Sequence, residues 1–199
     1  NLKITFFFIF MILCVSSMIV MAQDEDLMHH YKFDGDLVDE VADSNGVYAG
    51  GDGELNFVEG YDGTPSGAIN FDGANGKGYM IYMGRWSAVQ EYPDTTMTLT
   101  FWALWYGSYA DNTQDIINKR DHYETPDMVW GVNKPGPGDN LNISVRRRGV
   151  FADSQQGMDE NVWTHIAVSL DGESAYFYKN GEWYETLPYT YGRGFNSRV

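Results

Sequence analysis

Residues 161–183 read NVWTHIAVSLDGESAYFYKNGEW, two apolar runs, each followed by a glycine turn. This reads as two strands joined by a turn, and it constrains the fold more than any other stretch. Asn180-Gly181 is the strongest hairpin signal in the chain. A type I′ turn needs positive φ at both central positions, and Asn-Gly supplies it at least cost. Asp171-Gly172 does similar work one strand earlier.

The pattern extends along the chain. Periodicity of the i, i+3, i+4, i+7 kind is nearly absent. Short β-type runs bounded by Gly, Asp and Asn recur instead, at residues 29–34, 67–71, 79–83, 98–106, 114–119, 128–132, 141–147, 163–170 and 175–179. FDGD, FDGAN, LDGE and KNGE supply turns, and residues 120–127 and 134–140 (KPGPGDN) are loops too short to be linkers. Many short strands at regular spacing predict an all-β, two-sheet antiparallel jelly-roll sandwich. Residues 23–199 form one domain.

The first 22 residues stand apart. Lys3 precedes the apolar stretch ITFFFIFMILCVSSMIV, followed by Met21, Ala22 and Gln23. A basic start, an apolar run and a small-residue exit read as a secretory signal peptide, cleaved after Ala22. Secretion or cell-surface display follows, with no stable membrane insertion after cleavage. The one Cys, Cys14, lies in the apolar stretch. The exported chain therefore uses no disulfides, and residues 23–199 are long enough to bury a core without them. That combination favours a bacterial protein. The net charge of −15 disfavours nucleic acid as a partner, because phosphate binding needs clustered Lys and Arg.

Catalytic constellations are weak. A retaining glycosidase needs two carboxylates about 5 Å apart, which on a strand means acidic residues on one face. The close pairs are Asp34-Gly-Asp36, Asp52-Gly-Glu54 and Asp171-Gly-Glu173, all in predicted turns. Turn Asp residues usually hydrogen-bond their own backbone. There is no G-x-S-x-G and no zinc-type His or Cys spacing. His29 and His30 are adjacent and point to opposite faces of a first strand. His165 shares a strand face with Trp163 and reads as a packed or capping residue. The chain is expected not to be an enzyme.

The aromatic content of 16% exceeds what a routine core needs. Sugar sites combine flat rings with a few polar groups. Trp86, Trp105, Tyr106, Tyr109, Tyr123 and Trp130 are the candidates. In TLTFWALWY, Leu99, Phe101, Ala103 and Trp105 share one face, and Thr100, Trp102, Leu104 and Tyr106 share the other. Both faces are largely apolar, which reads as a central strand with Phe101 and Trp102 in the core. Arg146 and Arg148 share a face and offer planar forks for an acidic sugar. The competing reading of the Arg run is an edge strand protected by charge.

WTHIAVSLDGESAYFYKNGE resembles the WTHVAV-type hairpin of laminin G-like, concanavalin A-like jelly rolls. HHYKFDGDLVDEVADSNG, GAINFDGANGKGYMIYMG and TLTFWALWY resemble that family's first strand, its paired strands and its central strand, in the correct order. The resemblance runs from residue 28 to about residue 185. It implies a structural calcium with Asp34 as a ligand and a partner Asp from a closing strand. The family's closing Gly-x-Ile-Asp-x-Val-Arg-type strand has no counterpart here, so the domain is expected to lack its last strands. The combined expectation is a secreted, non-catalytic binding module, part of a larger extracellular protein. Its partner would be a carbohydrate or, as the alternative, an extracellular protein; a hydrolase- or lyase-related domain is the third reading.

Overall fold

The computed structural model describes residues 27–49, 55–71, 80–83, 97–107, 114–120, 128–134, 142–147 and 150–188. The described part is all-β. Its strands are β1 (Val47–Tyr48), β2 (Asn56–Val58), β3 (Ala68–Asn70), β4 (Ile81–Tyr82), β5 (Met97–Leu104), β6 (Gln114–Arg120), β7 (Met128–Lys134), β8 (Asn142–Arg147), β9 (Val150–Gly157), β10 (Trp163–Leu170), β11 (Ser174–Lys179) and β12 (Glu182–Pro188). Two four-stranded sheets run in the orders β12-β11-β10-β5 and β6-β7-β8-β9. The pairs β1-β4 and β2-β3 form two further small sheets. All these strand pairs are antiparallel. Among the described residues no helix is long and apolar enough to cross a membrane.

The opening stretch folds as its turns dictate. In β10 the residues alternate strictly: Thr164, Ile166, Val168 and Leu170 are buried, and those between them are half-buried. Successive side chains on a strand point to opposite faces, so alternation marks a sheet with one face in the core. Asn180 and Gly181 take φ of 52° and 83°, the pair of positive values a type I′ turn requires. That turn delivers the chain into β12. At the preceding turn the Asp171 carboxylate accepts from the N–H of Glu173 at 2.9 Å and of Ser174 at 2.7 Å. Gly172 takes the positive φ there.

The core draws on both four-stranded sheets. Ile166, Val168, Leu170, Ala175 and Phe177 come from β10 and β11, Val132 from β7, Ala152 from β9, and Trp105 and Met158 from segments beside them. Leu99, Phe101 and Ala103 of β5 pack against this cluster. The polar atoms that enter it are paired. Thr164 donates to the Val162 carbonyl at 3.1 Å. Tyr184 of β12 donates to the Gln156 carbonyl at 3.0 Å and to Ser154 Oγ at 3.2 Å, tying β12 to β9. Burial raises the Tyr184 hydroxyl pKa above its ordinary value, which keeps it a donor.

Several expectations change. Residues 29–34 form no strand: they carry one bridge, Tyr31 to Asp39, and Phe33 at φ 59° breaks the extended run. β5 is not central: it stands at the end of its sheet's order among the described strands. β8, the Arg-bearing strand, is not an edge: it lies between β7 and β9. Four strands lay outside the expected runs: β1, β2, β9 and β12. β1 and β2 are only two and three residues long. β9 (VFADSQQG) carries too many polar residues to stand out as an apolar run.

Candidate functional site

The site begins with the alternation of β10. If Ile166, Val168 and Leu170 face the core, then His165, Ala167 and Ser169 face the other way. The register extends that face across the sheet. Trp102 of β5 stands opposite His165. Thr100, Ala167, Tyr178 and Trp183 form one cross-strand row, and Thr98, Ser169, Tyr176 and Thr186 form the next. Side chains directly opposite one another on one face interact as pairs.

Those pairs are visible. Trp102 is 42% exposed, and its ring is tilted against the His165 ring at a centroid distance of 5.2 Å. The Tyr61 ring, from the loop between β2 and β3, lies on Trp102 at 4.2 Å and 3° from parallel. Tyr61 is itself 51% exposed. At the far edge Trp183 is 60% exposed, and its indole N–H donates to Thr186 Oγ1 at 3.0 Å. Between these rings lie hydroxyls. Thr100 Oγ1 meets His165 Nε2 at 2.7 Å, and Thr98 Oγ1 meets Ser169 Oγ at 2.9 Å. Tyr176 donates to Asp171 Oδ2 at 2.6 Å. That bond raises the Tyr176 pKa, and with the turn N–H groups it lowers the Asp171 pKa.

Exposed rings at both ends of one sheet face, with hydroxyls between them, combine apolar stacking area with hydrogen-bonding capacity. His165 is held by Thr100 and by its own backbone links to Asn180, its N–H donating to Asn180 Oδ1 at 3.0 Å. Two of the carboxylates considered as pairs, Asp36 and Asp171, act as turn formers, and Asp52 and Glu54 lie outside the described residues. Asp36 accepts from the Val38 N–H at 2.9 Å, and Asp171 accepts at the β10–β11 turn.

The residues singled out from sequence are scattered. Trp105 is 8% exposed and sits in the core, so its ring has little face left for a ligand. Tyr106, its neighbour, is 64% exposed just past the end of β5. The backbones of Trp130 and Arg146 lie in β7 and β8 of the other four-stranded sheet, where Gly131 pairs with Arg146. Their side chains, and all of Trp86, Tyr109, Tyr123 and Arg148, lie outside the described residues. Asp34 is exposed. Among the described residues no three His, Cys, Asp or Glu side chains gather in a way that could hold a metal ion.

Tyr61, Tyr178 and Trp183 are not among the candidates named from sequence, while Trp102 is read there as core and His165 as a packed or capping residue. Trp102 was placed in the core because both faces of its strand are apolar. The opposite signal is present in the sequence: Trp102 shares its strand face with Thr98 and Thr100, which mark that face as wet. No protein-family model matches this chain, and no curated protein or solved structure matches it either.

Proposed function

We propose that this chain is a non-catalytic carbohydrate-binding module, secreted and built as a laminin G-like jelly roll, whose binding surface is the outer face of the β5-β10-β11-β12 sheet. The observation that carries the reading is the set of exposed rings on that face: the Tyr61–Trp102 stack at one side and Trp183 at the other. Exposed rings grouped on one sheet face form the kind of apolar surface that marks a binding site. Aromatic faces carry partial negative charge, and the C–H groups of a sugar ring carry partial positive charge, so the two attract. The interleaved hydroxyls of Thr98, Thr100, Ser169 and Thr186 match the sugar's own hydroxyls.

The test is a glycan-array screen of the purified chain, with Trp102→Ala and Trp183→Ala alongside, in calcium and in chelator. The reading predicts binding to a sugar class that falls about tenfold or more in each variant. It is abandoned if the folded chain binds no glycan, or if both variants bind as the parent does. The calcium arms address a separate proposal, a structural ion held by Asp34. A melting temperature unchanged by calcium and by chelator rejects that proposal.

A second reading, a protein adhesion module, draws on a different face. Val47 of β1 and Tyr82 of β4 are exposed cross-strand partners. An array-negative but folded chain would move the assignment there.

A further inference from the structure

The outer face has an orientation and a charge character that narrow its ligand. Rings and hydroxyls are arranged in rows that cross the strands rather than follow them. Trp102 lies on β5 and Trp183 on β12, with β10 and β11 between. Neighbouring strands are spaced about 4.8 Å, so the two platforms are roughly 14 Å apart across the sheet. That is longer than one sugar ring. Ala167, the smallest side chain in its row, leaves a low centre between Thr100 and Tyr178.

Charge points the same way. The two cross-strand rows and the Trp102–His165 pair contain no Lys, Arg, Asp or Glu. Asp171 reaches the face through the Tyr176 hydroxyl, and the chain as a whole carries −15. An anionic ligand would meet no Lys or Arg among the described residues of these rows and would be repelled by the surrounding field. The spacing, the hydroxyl row and the missing charge together favour one class of ligand.

We infer that the site takes a linear, uncharged polysaccharide laid across the strands, with the Tyr61–Trp102 stack and Trp183 as separate end platforms. This rests on the carbohydrate-binding reading and goes beyond it. A chain ligand long enough to reach both platforms gains from both. A disaccharide reaches only one.

The experiment is calorimetric titration of the full chain with cellobiose, cellohexaose, xylobiose, xylohexaose and hexagalacturonate. It is repeated with Trp183→Ala and Tyr61→Ala, each checked by circular dichroism and thermal melting. A neutral hexasaccharide is expected to bind at least about tenfold tighter than its disaccharide. Either variant is expected to erase most of that advantage, and hexagalacturonate is expected to give no heat. Tighter binding of hexagalacturonate than of the neutral hexasaccharides overturns the charge argument while leaving a carbohydrate-binding module in place. A hexasaccharide advantage that survives Trp183→Ala overturns the crossing geometry alone. No heat from any of the five sugars overturns the inference, and binding on the wider array would then show that the carbohydrate reading itself stands.

Discussion

Asp39 organises the start of the described chain. Its carboxylate accepts from His29 Nδ1 at 2.6 Å and from the N–H groups of His30, Val41 and Ala42 at 3.0 to 3.2 Å. Its own N–H donates to Asn45 Oδ1 at 3.0 Å. Burial alone would raise the Asp39 pKa. The His29 bond and the three backbone donors outweigh burial and hold it at about 2, below the ordinary 3.8. A depressed carboxylate pKa stabilises the fold above the unfolded value and loses that contribution as pH falls through the folded value. Asp39→Asn is therefore expected to cost about 2 kcal/mol at neutral pH. The difference from the parent should shrink as pH drops from about 4 to about 2. Urea melts across that range check it, and a pH-independent difference would contradict it. The sequence showed His29 and His30 as neighbours on opposite faces. It gave no sign that one aspartate ten residues on would receive the ring of one and the backbone of the other.

Trp102 makes the same point for the site. Strand parity was legible and correct: Leu99, Phe101 and Ala103 share the inner side of β5, and Trp105, just past its end, joins the same core. What parity could not supply was the sign of the faces, because Tyr61, which covers Trp102, comes from a loop far back in the chain. Trp105 is thus buried and Trp102 exposed, the reverse of the burial expected for Trp102 as a core ring. Replacement should separate them. Trp105→Ala removes a core ring and is expected to cost about 3 to 5 kcal/mol. Trp102→Ala should cost roughly 1 kcal/mol, chiefly its stacking on Tyr61. Paired denaturation curves decide this, and equal losses would mean that both rings are core.

At the scale of elements, glycine turns decide where strands end. Gly181 has nothing within 4 Å of where a Cβ would stand, yet its φ is +83°. Gly181→Ala should therefore cost about 1 to 2 kcal/mol through backbone conformation alone. Gly60 is the reverse case. A Cβ there would lie 2.8 Å from the Gly67 carbonyl oxygen, a contact that backbone must move to relieve. Tyr61 is the next residue, so Gly60→Ala is expected to displace the ring from Trp102. Near-ultraviolet circular dichroism should report the loss of that stack, with little change in the far-ultraviolet β signal. An unaltered near-ultraviolet spectrum would show that the loop absorbs the methyl group elsewhere. Turns such as Asn180-Gly181 were readable because their chemistry is local. The bulge between Phe177 and Tyr178 was not, because it arises from how β12 meets β11.

At the scale of the whole molecule, the hydrophobic pattern specified an all-β chain with antiparallel strands, and the described residues have that architecture. The pairing of distant elements was beyond it. β5 pairs with β10 across some sixty residues of sequence, and no local signal carries that choice. The face that results is formed by residues from four strands and one loop, so the site could be recognised only after the strands were placed in order. The most direct test of the account is a titration of the labelled protein with a neutral hexasaccharide, read at the tryptophan indole N–H resonances. The Trp102 and Trp183 signals are expected to shift together and saturate, while that of Trp105 stays in place. A shift confined to Trp105, or no shift of Trp102 and Trp183 under saturating sugar, would contradict it.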